Sequence, residues 1–139
     1  ESMIRRARKN IGNVSSVYLE VADINTYDYE PVDLIVSYYT IQFVPPKLRQ
    51  ATFNKIYETL NWGGALLLFE KVRASDARFQ DIATALYTDF KLDQEYSPDE
   101  ILGKNRSLKG VLEPFSTQGN IDLMRRAGFE DILTLMKYT

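Results

Sequence analysis

Val32-Asp33-Leu34-Ile35-Val36-Ser37-Tyr38-Tyr39-Thr40-Ile41-Gln42-Phe43-Val44-Pro45-Pro46 and, beyond a helix-like run, Asn61-Trp62-Gly63-Gly64-Ala65-Leu66-Leu67-Leu68-Phe69-Glu70 decide how this chain folds. Leu34-Ile35-Val36 is a continuous apolar run bounded by turn-forming residues, the pattern of a parallel strand covered on both faces. Pro45-Pro46 opens a helix with Phe53, Ile56, Tyr57 and Leu60 on one face, and the turn Asn61 to Gly64 closes it, with Trp62 expected to anchor helix to sheet. Ala65 to Phe69 is then a second buried strand. In an open α/β sheet, ligands lie beyond the carboxyl ends of the strands, so the polar and aromatic cluster Ser37 to Gln42 is where chemistry is expected.

Outward from this unit, Ser2 to Ile11 spaces Met3, Ile4, Ala7 and Ile11 as an amphipathic helix, stopped by Gly12. Arg5, Arg6, Arg8 and Lys9 form its solvated face. Val14 to Val21 is β-branched and aromatic enough to predict a strand, ending at Ala22-Asp23-Ile24, and residues 25–31 form a loop. From Asp76 to Phe90 the apolar positions Phe79, Ile82, Ala83, Leu86, Tyr87 and Phe90 give the strongest helical period in the sequence. Ser97-Pro98-Asp99-Glu100 has capping-box spacing and starts a short helix. Ser116 or Thr117 caps another, which runs to Ala127 and stops at Gly128, and Phe129 to Tyr138 reads as a final strand. Strands alternating with crossover helices imply an α/β, Rossmann-like domain with a mainly parallel sheet and flanking helices.

The composition limits the chemistry. With 139 residues, 45% hydrophobic and 26% charged, the chain suits one soluble domain with its own core. A net charge of -2 argues against a phosphate-neutralising surface, so direct nucleic-acid binding is not expected. The absence of Cys and His removes thiol nucleophiles, thiolate metal sites and the usual general base, leaving proton transfer to carboxylates, Tyr, Lys, substrate groups or water. No metal is expected. No run approaches the roughly 20 apolar residues that span a bilayer, and the start carries no signal-peptide core, so no membrane partner and a cytoplasmic location are the expectations. The first residues already have the character of a helix interior, so further residues are expected before Glu1 in the natural protein.

Glu1-Ser2-Met3-Ile4, the strand end Ala22-Asp23-Ile24, Asp33-Leu34-Ile35-Val36-Ser37 and Leu60-Asn61-Trp62-Gly63-Gly64-Ala65-Leu66 together resemble the class I S-adenosylmethionine-dependent methyltransferases over nearly the whole chain. Within that superfamily, Tyr39-Thr40-Ile41-Gln42-Phe43-Val44, Arg49-Gln50-Ala51, Lys55-Ile56-Tyr57, Glu70-Lys71, Asp89-Phe90-Lys91 and Ala127-Gly128-Phe129-Glu130 are most similar to the carboxy-S-adenosylmethionine synthase branch, associated with tRNA wobble-uridine modification. The resemblance implies a single partial methyltransferase domain over 1–139, without the first strands and glycine loop and without the last strand. It implies S-adenosylmethionine as cofactor, or its S-adenosylhomocysteine or carboxylated form. Asp23 matches the acid that meets the adenine amino group, a role that suits a pure acceptor. Ile24 matches the backbone beside it, and Met3 the apolar residue over the adenine face. Ser37, Tyr38 and Thr40 then line the cofactor, with Tyr38 and Arg106 as the candidate catalytic residues. The branch has Asn where Tyr38 stands, and an ungapped match sets Asn105 at its carboxylate-binding Arg, with Arg106 adjacent.

The leading expectation is a methyltransferase acting on a small molecule or other acceptor, working by positioning the activated methyl. The alternative is carboxy-S-adenosylmethionine synthesis from prephenate, with Arg106 orienting a carboxylate as a bidentate partner. A third reading is a non-catalytic binding or dimerisation module of the same fold. Open sheet edges would call for cover by further residues or by a partner, a homodimer among them. Tyr18, Tyr27, Tyr29, Tyr57 and Tyr87 are expected to pack rather than to catalyse.

Overall fold

A computed structural model describes residues 2–12 and 14–138. Glu1, which opens the first family-like motif, lies outside the described residues. The described elements are helix α1 (Ser2–Ile11), strand β1 (Val32–Tyr38), a 3-10 turn (Ile41–Phe43), α2 (Pro46–Thr59), β2 (Leu60–Phe69), α3 (Ala77–Asp93), α4 (Pro98–Ser107) and α5 (Thr117–Ala127). The chain is thus mixed α/β, with one strand–helix–strand crossover at its centre. β1 and β2 are parallel neighbours, joined by a connection long enough for a crossover. Pairing runs from Leu34↔Ala65 to Tyr38↔Phe69, with an irregularity between Val32 and Leu34. There Gly63 takes φ +80° and the Asn61 side-chain amide donates to the Asp33 carboxylate at 2.9 Å.

The core lies on one face of this pair. Ile41, Phe53, Ile56 and Leu123 are its buried centre, joined by Ile35, Leu66, Leu68, Phe115, Met124 and Phe129. The period-2 alternation of strands sends Ile35, Leu66 and Leu68 inward, under α2 and α5. The other face is open: Leu34, Val36, Leu67 and Phe69 are exposed. This corrects the expectation of cover on both faces. The apolar run was right for a parallel strand, but α3 packs on α4 and leaves that face uncovered.

Local signals set several helix ends near where the sequence predicts them, but α2 stops at Thr59, and Leu60 with Asn61 to Gly64, expected as helix end and turn, belong to β2. Asp76 accepts from the Phe79 amide (2.9 Å), Ser97 and Glu100 form a reciprocal capping box, and Ser116 accepts from the Gly119 amide (3.0 Å). Gly128 ends α5 at φ +117°, where an added Cβ would stand 2.6 Å from the Tyr57 ring.

Several expectations do not hold. Val14 to Val21 and Phe129 to Tyr138 form no strand: the first contains a turn closed by Val17 N–H to the Val14 carbonyl, and beyond Phe129 the second is largely exposed. A strand needs a neighbour's backbone groups, and among the described residues none lies beside either segment. Trp62 is fully exposed and anchors nothing, and Tyr18 is exposed rather than packed. Helix α3 forms as predicted, yet none of its residues is buried.

Candidate functional site

The parallel register brings the carboxyl ends of β1 and β2 side by side, with Ser37 opposite Leu68 and Tyr38 opposite Phe69. The Tyr39 amide extends the ladder by donating to the Phe69 carbonyl (2.9 Å). Tyr39 then turns into the left-handed region at φ +51°, which a bulky side chain enters only when its surroundings impose it. The chain folds at once into the 3-10 turn, with Phe43 N–H bonded to the Thr40 carbonyl. The result is a short wall, residues 37–42, standing across the strand ends.

Three buried or half-buried side chains hold the wall from behind. Glu70, the first residue beyond β2, accepts from the Ile41 amide at 3.0 Å. Gln42 donates to the Tyr39 carbonyl (3.4 Å) and accepts from the Lys71 amide (3.0 Å), tying wall to strand end. Arg49, from the first turn of α2, donates through Nε to the Val44 carbonyl (2.8 Å) and through Nη2 to the Gln42 carbonyl (3.0 Å). Its guanidinium also lies 4.3 Å from the centre of the Phe115 ring. The Glu113 amide adds a second donor to the Gln42 carbonyl (3.2 Å). Burial pushes the Glu70 carboxyl up to about 7, against the pull of the Ile41 and Gln42 amides and of Arg49. Burial also lowers Arg49.

Ser37, Tyr38 and Thr40 are brought together here. Ser37 is 5% exposed, and its hydroxyl is a buried polar atom without a partner among the described residues. Tyr38 is 67% exposed and packs edge-on against Tyr39 (4.7 Å) and beside Phe69 (5.4 Å). Thr40 spends its hydroxyl on the Tyr38 carbonyl (3.1 Å).

Asp23 and Ile24 sit on the loop before β1. One Asp23 oxygen accepts from both the backbone and the side-chain amide of Asn25, each at 2.8 Å, and these bonds hold its carboxyl below the usual range. Asn25 in turn accepts from the Thr52 hydroxyl of α2 (3.0 Å), and Lys55 of α2 donates to the Tyr27 carbonyl. The loop is thus fastened to the same helix that braces the wall. Ile24 packs on the core, and beside it Glu20, Ala22, Ile24, Tyr27 and Tyr29 line an open depression.

Met3 is exposed on α1, which has no buried residue, and Arg106 and Asn105 are exposed near the end of α4. Since α4 packs chiefly on α3, Arg106 is not joined to the wall as Ser37, Tyr38 and Thr40 are. Reading the sequence for sites set Gln42 at the end of the expected cluster but gave no site role to Glu70 and Arg49, which it named only within family-like motifs. The signal for Glu70 was present: it is an acid directly beyond the apolar strand β2, the kind of position the sequence reading gave to Asp23. Among the described residues no group of three His, Cys, Asp or Glu side chains is arranged to hold a metal, and no helix is long and apolar enough to cross a membrane.

No family model matches the chain. Curated relatives do. A carboxy-S-adenosyl-L-methionine synthase of Sulfurimonas denitrificans is 38% identical over 130 residues, 93% of this chain and 55% of the relative. The synthase of the same name from Nautilia profundicola is 34% identical over 99% of this chain and 59% of its own length. That from Staphylococcus epidermidis is 30% identical, over 99% of this chain and 67% of the relative. The chain spans about half the length of several of the relatives it matches.

Proposed function

We propose, since this chain belongs to the carboxy-S-adenosyl-L-methionine synthase family of the class I S-adenosylmethionine-dependent methyltransferase superfamily, that it is part of an enzyme that binds S-adenosylmethionine and carboxylates it, with prephenate as the source of the carboxyl group. This reading takes the alternative from the sequence over simple methyl transfer, because the relatives' shared name favours it. The observation that carries it is the braced wall at the carboxyl ends of two parallel strands, the place where this architecture receives ligands.

The residues present fit the cofactor. Asp23 stays ionised and, with one oxygen given to Asn25, keeps its other oxygen for an exocyclic amine. Ser37 holds an unspent hydroxyl at the strand end, where a polar ligand would satisfy it. Ile24 shapes the neighbouring depression, Met3 offers an apolar side chain for the adenine face, and Thr40 fixes the backbone of Tyr38 through its hydroxyl. When bound, the cofactor would supply a methyl carbon acidified by the adjoining sulfonium: one of its C–H bonds would give way to a C–C bond to the carboxyl group lost by prephenate, and the released proton would leave as water with the prephenate hydroxyl as the ring aromatises to phenylpyruvate. The chain's part is to hold that group against its reaction partner and to limit water, a task of positioning that fits the absence of His and Cys. Arg106 would meet a carboxylate, where a guanidinium fork gives two parallel bonds.

Incubating the full-length protein with S-adenosylmethionine and prephenate and weighing the cofactor by mass spectrometry tests the reading. A carboxylated cofactor is the expected product. Its absence, together with a methylated acceptor, would instead support the second reading, a methyltransferase. One observation favours that second reading: Tyr38, exposed at the centre of the wall, stands where the resemblance sets Asn.

A further inference from the structure

We infer that Glu70 is the positioning residue of this site: its carboxylate clamps the Ile41 end of the wall and so maintains Tyr39 in its left-handed conformation, which fixes the course of the wall beyond Tyr38. The inference rests on the reading of residues 37–42 as the ligand wall. Three observations carry it. Glu70 accepts from the Ile41 amide at 3.0 Å across two segments that are far apart in sequence, so the bond does not follow from local chain geometry. Tyr39 is one of only two non-glycine residues with positive φ among the described residues, and it lies directly between the last strand residue and the clamped turn. The remaining braces act at other points: Gln42 on the Tyr39 carbonyl and Lys71 amide, Arg49 on the carbonyls of Gln42 and Val44.

A strained backbone conformation persists only where the surroundings over-determine it. With the ladder bond from the Tyr39 amide to the Phe69 carbonyl on one side and Glu70 on the other, the two strand ends fix the bend between them. The clamp bond has one charged partner when Glu70 is ionised, and such bonds are roughly twice as strong as neutral ones. Protonation therefore loosens the wall without unfolding it. The charged group that faces Glu70 is Arg49 from α2, with Glu113 beyond Arg49 on the segment before α5, while the Lys71 ammonium lies over the Tyr87 ring at 5.2 Å. Glu70 gives its carboxylate to the Ile41 amide. It acts through Ile41 and Tyr39.

The test uses the full-length protein, as Glu70→Ala and Glu70→Gln. Glu70→Ala should speed hydrogen exchange at the Ile41 amide about tenfold or more and lower kcat by about ten- to a hundredfold, while KM for S-adenosylmethionine changes by less than about threefold. Glu70→Gln, which keeps a neutral acceptor, should recover most of kcat and lose the rise of kcat with pH expected in the parent between about pH 6 and 8. An unchanged Ile41 amide in Glu70→Ala, or a raised KM with kcat intact, overturns the inference. If Glu70→Ala does not fold, Glu70→Gln decides alone: a flattened pH profile or a displaced Ile41 amide resonance supports the clamp, and a parental profile with an unmoved resonance overturns it. Should the parent show no turnover, the functional reading fails and the amide measurements still decide whether Glu70 holds the wall.

Discussion

The half of the molecule built on β1, β2, α2 and α5 and the hairpin of α3 and α4 reach their helices by different routes. In the first, Ile41, Phe53, Ile56 and Leu123 are buried in one cluster, and α2 contributes four buried residues, Arg49 among them. In the second, α3 buries none of its residues and α4 only Ile101, although α3 carries the clearest helical period in the sequence. A strong period therefore says that a helix will form and which face is apolar, not what that face meets. In the first half packing supplies the stability, and in the second the cap at Asp76 and the capping box at Ser97 support the local order.

Core truncation should separate the two halves most sharply. Phe53→Ala removes a side chain with 0% exposure and should cost about 3–5 kcal/mol in urea unfolding of the full-length protein, whereas Phe79→Ala, 59% exposed, should cost under about 1 kcal/mol. Equal losses would break the comparison, because they would mean that the α3 face is covered in the full-length protein. The second effect should come from Gly128→Ala. Its Cβ would meet the Tyr57 ring at 2.6 Å in a positive-φ conformation, so a loss of about 2–3 kcal/mol is expected, against about 1 kcal/mol for Gly110→Ala, where φ is also positive but the space is open.

A smaller effect is expected from pH. Because Glu70 has its carboxyl raised to about 7 in the folded chain, the folded state holds more protons than the unfolded state between about pH 4.5 and 7. Stability should therefore fall as pH rises through that window and level off above it. The group is only half-buried, so after screening the loss is about 1 kcal/mol, and Glu70→Gln should flatten it. The smallest effect should be Ser97→Ala, at about 0.5–1 kcal/mol, read as faster amide exchange confined to the first turn of α4. Exchange spreading into α2 would show that the two halves are coupled.

What was legible in the sequence was whatever short-range chemistry decides. The caps at Ser97 and Ser116, the glycine stop at Gly128 and the Pro45-Pro46 start all lie within a turn of the boundary they set, and α4, α5 and α2 begin, and α5 ends, close to where they point. The crossover from β1 to β2 was legible too, since an amphipathic helix between two apolar strands is the pattern of a parallel pair. Val14 to Val21 and Phe129 to Tyr138 were misread because their residues suit a strand but a strand is a pairing, and pairing depends on distant backbone. At the site, the cluster at the end of β1 could be found from position alone. Its bracing contacts could not: Glu70 carried the mark of an acid beyond a strand, but that it meets Ile41, and that Arg49 meets Gln42, is set only after the crossover has folded.

Helix α2 has a further consequence as a ruler. Arg49 on its first turn grips the wall through Gln42, and Thr52, three residues later and about 4.5 Å further along the axis, grips the Asp23 loop through Asn25. Both grips are on buried side chains of one rigid rod. The gap between acid and wall is therefore calibrated by helical rise, and the two margins shift together or not at all.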